Sequence, residues 1–164
     1  LQQVNKKLPI CLGDFVLHRL MLALIGLIGS VALSHAAGDP AAPIGRWLTE
    51  NHQAVIQIAP CGGDLCGQIV GLAQPNPPPL DWQGNPQCGL TIINTAPTQN
   101  PDTGAITYQG TVLDPRDGTT YNATISLNAN HQLRVHGYVG LPIFGQTQTW
   151  SPYPGRTLAG CRLQ

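Results

Sequence analysis

Beyond residue 44 the apolar and polar positions alternate over short stretches. In residues 53–59, Ala54, Ile56 and Ile58 alternate with Val55 and Gln57, a period of two that predicts a strand. Residues 121–127 alternate more cleanly, with Ala123, Ile125 and Leu127 on one side and Asn122, Thr124 and Ser126 on the other, so this strand has one wet face. Leu133 and Val135 against Arg134 and His136 repeat the pattern. Further strand-like pieces lie at residues 45–50, 65–72, 90–94, 106–113 and 146–151, and no sustained helical period interrupts them.

Turn chemistry separates the pieces. Cys61-Gly62-Gly63-Asp64-Leu65-Cys66 is rich enough in Gly to turn tightly between two apolar runs, which predicts a hairpin. In Asp114-Pro115-Arg116-Asp117-Gly118 the Pro presets one backbone angle and the Gly supplies a positive one. Gln74-Pro75-Asn76-Pro77-Pro78-Pro79 lacks a backbone donor at four of its six positions, so it reads as an extended surface loop, a linker with a partner motif as the alternative. Seven or eight short strands at regular spacing predict an all-β fold, an up-and-down barrel of about eight strands ahead of a sandwich.

The first forty residues break this pattern. Residues 20–33 form an unbroken apolar and small run behind His18 and Arg19, followed by Ser34-His35-Ala36-Ala37. Fourteen such residues suit a signal-peptide core and fall short of the roughly 20 that span a bilayer. The expectation is export, with cleavage after Ala36, giving residues 1–36 as extension and signal peptide and 37–164 as a single domain. A start at Val16, Leu17 or Met21 would account for residues 1–15. Cys11 precedes the apolar run, so a lipoprotein anchor is not expected, nor is a transmembrane anchor in the mature chain.

Composition agrees with short strands and tight turns: Gly and Pro number 19 and 15 of 164 residues, and a tenth of the chain is charged. After Ala37 the chain has five Arg against one Glu and six Asp, which leaves no basic stripe for nucleic acid. Cys61, Cys66, Cys88 and Cys161 form an even set in a chain expected to leave the reducing cytosol, so two disulfides are expected. Four residues separate Cys61 from Cys66, which suits a bond across a hairpin tip better than a redox or zinc motif. By elimination Cys88 would pair with Cys161.

Several segments together resemble a known family. They are Gly45-Arg46-Trp47, the stretch from Ala59-Pro60-Cys61 to Gly67-Gln68-Ile69, Asp114-Pro115-Arg116-Asp117-Gly118-Thr119-Thr120-Tyr121, Leu133-Arg134-Val135-His136-Gly137-Tyr138-Val139-Gly140, and Gly145-Gln146-Thr147-Gln148-Thr149-Trp150. In order and spacing they are similar to the domain of unknown function 2147 family. That resemblance implies an exported bacterial protein with a small lipocalin-like barrel, and brings no established activity. The chain departs from the pattern at Asp81-Trp82-Gln83-Gly84-Asn85-Pro86-Gln87, where a longer Arg-containing segment is usual, and at Ser151-Pro152, where an Arg usually follows the Trp. The Gly-x-Trp opening also resembles lipocalins, where the Trp closes one barrel end beneath a basic residue. Arg156 is the candidate partner here, and an ordinary core Trp47 is the alternative.

Candidate chemistry is sparse. His52, His131 and His136 lack metal-ligand spacing, and Asp114 and Asp117 are explained by the turn they start, so neither metal nor cofactor is expected. Ser126 and Ser151 lie in no nucleophile-elbow sequence, and Glu50 is the one Glu after Ala37, so no enzyme is expected. Two readings remain. In the first, the barrel binds a small apolar ligand, lined by Trp47, Tyr138, Phe144 and Trp150, with Gly67, Gly71, Gly110, Gly137, Thr147 and Thr149 leaving room. In the second, a filled barrel meets an envelope protein or other envelope component through the Pro-rich loop with Trp82 and through Gly140-Leu141-Pro142-Ile143-Phe144-Gly145. The setting in either case is periplasmic or secreted.

Overall fold

The computed structural model describes residues 42–73 and 76–163. The expected signal peptide and Gln74-Pro75 lie outside the described residues. Eight strands follow in chain order: β1 (Gly45–Leu48), β2 (Ala54–Cys61), β3 (Asp64–Leu72), β4 (Thr91–Gln99), β5 (Ile106–Leu113), β6 (Thr120–Leu127), β7 (Leu133–Tyr138) and β8 (Gln146–Pro152). Each pairs antiparallel with the next, and β1 returns to β8 through Trp47 opposite Pro152 and Leu48 opposite Ser151. The sheet is thereby a closed up-and-down barrel. The β1–β8 seam is short, and it is extended by the Tyr153 N–H donating to the Arg46 carbonyl at 2.8 Å.

The alternation read from the sequence becomes an inside and an outside. Ile56, Ile69, Ile125, Leu133, Val135 and Trp150 are buried, while Asn122 and Arg134 between them are exposed. Two bulges interrupt the period, one between Val55 and Ile56 and one between Gly67 and Gln68. A bulge inserts one residue and so exchanges the faces beyond it. Val55 and Gly71 therefore point outwards, opposite each other.

That outward patch is covered by a C-terminal hairpin absent from the sequence reading, β9 (Thr157–Leu158) and β10 (Arg162–Leu163). β10 runs parallel to β3 with Arg162 beside Leu72, and a Cβ on Gly71 would collide with the Leu163 side chain. Disulfides join Cys88 to Cys161 and Cys61 to Cys66, each with Cα atoms 5.8 Å apart. The first ties the hairpin to the entrance of β4; the second spans the β2–β3 tip. The unit spanning Gly38–Gln164 holds the barrel, its core and both disulfides, the features an independently folding domain carries.

The two ends of the barrel differ. Trp47, Ile58, Leu65, Ile93, Tyr108 and Leu133 are buried and fill the end carrying the β2–β3 tip. At the other end the β1–β2, β3–β4, β5–β6 and β7–β8 connections ring an opening.

Candidate functional site

The opening leads into a cavity of about 1270 Å³. That is ample for a small molecule, since ligand sites commonly measure about 300–1,000 Å³. Ile56, Ile69, Leu72, Ile92, Val135 and Trp150 form its apolar wall. The polar groups lie towards the mouth. Gln148 accepts the Trp150 indole N–H through Oε1 at 2.8 Å, which fixes the ring and leaves the Gln148 amide N–H groups for other partners. Gln146 stands opposite Gly137, and Tyr121 borders Gly137 from the other side. Gly137 thus forms a gap in the wall between two polar side chains. The charged residues among those described in the wall are Asp114 and Arg116, at the rim.

These two neutralise each other. The Arg116 guanidinium donates to both Asp114 carboxylate oxygens, at 2.9 and 2.5 Å, and this hydrogen-bonded cation holds the Asp114 carboxyl below the ordinary carboxylate range. The same Asp114 accepts the Arg116 backbone N–H at 2.9 Å, and the turn closes through Gly118 N–H to the Asp114 carbonyl. Gly118 has a φ of 78° and lies under the Trp82 ring, so both its conformation and its missing side chain are used. Trp82 N–H donates to the Pro115 carbonyl. The Pro-rich connection is thereby attached to the β5–β6 turn at the mouth. Within it, Asp81 is buried and caps the backbone N–H groups of Gln83 and Asn85 at 2.9 and 2.8 Å.

The sequence-derived candidates separate in space. Trp150 lies in the cavity wall. Phe144 lines the mouth but is 75% exposed. Tyr138 borders the rim, with its ring stacked on His136 at 5.6 Å between centroids. Trp47 does not line the cavity: it is buried in the packed end, where its indole N–H donates to the Pro43 carbonyl at 2.9 Å. Its hydrogen-bond partner is thus backbone, while Arg156 lies exposed. Of the residues expected to leave room, Gly137 does so. Gly71 faces the C-terminal hairpin, Ile93 occupies the space beside Gly67, and Gly110 lies against the Asn94 carbonyl. Thr147 bonds to His136 on the outer face. Sequence reasoning missed Tyr121, Gln146 and Gln148, which alternation alone would have placed on inward faces.

Among the described residues no group of three His, Cys, Asp or Glu side chains is placed to hold a metal, and His52 and His131 occupy turns with positive φ.

An eight-stranded up-and-down barrel with one packed end and one open end is lipocalin-like in architecture. A similar solved structure is that of protein HP1028 from the human pathogen Helicobacter pylori, described as belonging to the lipocalin family. Its TM-score is 0.53 at 16% identity, covering 69% of this chain and 84% of that one, which shows the fold alone. No curated protein matches the chain. Residues 45–151 match the family described as an uncharacterized protein conserved in bacteria, domain of unknown function 2147, and the chain belongs to it.

Proposed function

We propose that this protein is an exported carrier or sensor that holds an uncharged, largely apolar small molecule in the open half of its barrel. The observation that carries the reading is the cavity of about 1270 Å³, apolar in depth and polar near the mouth, with the Asp114–Arg116 pair at its rim internally neutralised. A ligand bearing a charge would lose water without gaining a counter-ion there. An apolar body with a hydroxyl or carbonyl end would find both the wall and the Gln146, Gln148 and Tyr121 groups. Trp150 and Phe144 are the aromatic contacts this reading retains.

Export is supported by the N-terminal apolar run and by two disulfides, which persist in oxidising compartments. A binding role, in preference to catalysis, is supported by the wall itself. Among its described residues there is no Ser, Cys, His or Lys, and its carboxylate, Asp114, is occupied by Arg116. The alternative of a barrel filled by side chains fits one end of the molecule only.

The test uses Gly137. A Cβ there would meet Val112 and Tyr121 at 3.6 and 3.9 Å, ordinary contact distances, and its φ is outside the left-handed region. Gly137→Phe should therefore place a ring in the cavity beside Tyr121 and Gln146, obstructing the ligand's place there while the barrel stays folded. Native mass spectrometry of the 38–164 unit, exported in a bacterial periplasm, should show a non-covalent adduct that Gly137→Phe lacks. A bare mass for the unsubstituted protein, or an adduct equally retained by Gly137→Phe, would count against the reading.

A further inference from the structure

We propose that the mouth of the barrel docks on the surface of a lipid bilayer, with the β7–β8 loop as the inserting element. The four most exposed large apolar side chains among the described residues all lie on this loop: Val139 at 68%, Leu141 at 61%, Ile143 at 80% and Phe144 at 75%. A soluble surface tolerates such residues singly, and a cluster marks an interaction site.

The loop is held in this pose. Residues Pro142–Phe144 form a 3-10 turn, closed by Phe144 N–H to the Leu141 carbonyl and Gly145 N–H to the Pro142 carbonyl. His136 anchors it from the barrel wall. A carbonyl can only accept, so Nε2 of His136 donates to the Pro142 carbonyl at 2.9 Å, while Nδ1 lies 2.9 Å from the Thr147 hydroxyl. The apolar side chains are thus presented outwards at no further ordering cost.

Three observations favour a bilayer over a protein. The patch is a single loop with four exposed apolar side chains, whereas a specific protein interface uses ~800 Å² and about 20–30 residues per partner. It is a projecting loop, the shape that enters a headgroup layer. The barrel wall is polar, with Thr111, Asn122, Arg134 and Thr147 exposed, so the protein would meet the bilayer at its mouth and lacks the apolar outer band a spanning barrel requires. Trp82 and Leu80, exposed at 43% and 53% on the Pro-rich connection at the same end, add apolar surface suited to the headgroup boundary.

The charge around the mouth fixes the kind of bilayer. Residues 139–149 contain no charge, and the nearby connections supply Glu50, Asp81, Asp114 and Asp117 against Arg116. With no excess of cations, docking proceeds by apolar insertion, needs no anionic lipid and resists salt. The loop shares Phe144 with the mouth of the cavity, whereas Leu141 and Ile143 do not line it, so docking is tested through these two separately from what the cavity holds.

The experiment is flotation of the 38–164 unit with phosphatidylcholine vesicles at low and high NaCl. The unsubstituted protein and Gly137→Phe should both float, unaffected by salt. The Leu141→Asp/Ile143→Asp variant, altered only at exposed positions that do not line the cavity and checked for an unchanged circular dichroism spectrum, should lose at least about tenfold in bound fraction. Absence of flotation, or equal flotation by the variant, overturns the proposal. Flotation that requires phosphatidylglycerol and disappears in salt also overturns it. So does a dimer in vesicle-free solution that the variant abolishes, which would assign the loop to a second copy of the chain.

Discussion

The two disulfides close loops of very different length, and chain entropy makes that difference measurable. Cys61 and Cys66 are 5 residues apart in sequence, Cys88 and Cys161 are 73 apart. In the loop-closure treatment the shorter restricts the unfolded chain by about 2 kcal/mol and the longer by about 4 kcal/mol. The folded state adds to the asymmetry in the same direction. Cys161 is buried, its carbonyl accepts the Leu72 N–H at 2.7 Å, and the hairpin it anchors covers Val55 and Gly71. Replacing Cys88 and Cys161 by Ala frees both the unfolded chain and this cover. The comparison is urea unfolding of the Cys88→Ala/Cys161→Ala and Cys61→Ala/Cys66→Ala proteins against the parent, with the slope checked in each. With a slope of about 2 kcal/mol per molar urea, the midpoints of the two variants should differ by about 1 M, the long-loop variant being the weaker. Equal midpoints, or a weaker short-loop variant, would refute the loop-length reasoning.

Two further outcomes follow from local geometry. Gly110→Ala would push a methyl group into the Asn94 carbonyl and to within 2.8 Å of the Thr95 Cα, both backbone atoms of the adjacent strand that cannot rotate aside. A loss of about 3 kcal/mol, at the upper end for overpacking, is expected in urea unfolding. Asp114→Asn keeps the turn geometry but removes the charge facing Arg116. Because the folded Asp114 carboxyl titrates below its unfolded value, its contribution is present above the unfolded pKa and lost as pH falls through the folded one. The parent should therefore exceed Asp114→Asn by no more than about 1 kcal/mol at neutral pH, given the exposed Arg116, and the gap should close below about pH 4. Unfolding midpoints across pH 2–7 check this.

Much of the architecture was legible because strands carry a period of two and the turns carry Gly, Pro, Asn and Asp where positive or preset angles are needed. All eight barrel strands overlap the strand-like pieces read from the sequence, three of them marked by clear alternation. β4 runs on to Gln99, past Pro97, which pairs with Tyr108 of β5; the pairing to β3 ends at Thr95, so the missing N–H of the proline falls on an unpaired side. β9 and β10 are two residues each, too short to show any period, and exist because β3 outruns β4 and offers them a free edge.

For this protein the sequence by itself determined the approximate places of the barrel strands, the turns, the disulfide-capable cysteines and the family. Each of these is a local or composition-level property. Which of the inward side chains reach the open cavity and which are packed away from it was decided only in three dimensions. A bulge of one residue reversed the side on which Gly71 points, and barrel closure packed Trp47 away from the cavity while leaving Trp150 in its wall. The pairing of Gln148 with Trp150, the neutralised ion pair at the rim and the anchoring of the apolar loop by His136 likewise depend on neighbours brought together by register, which local pattern does not encode.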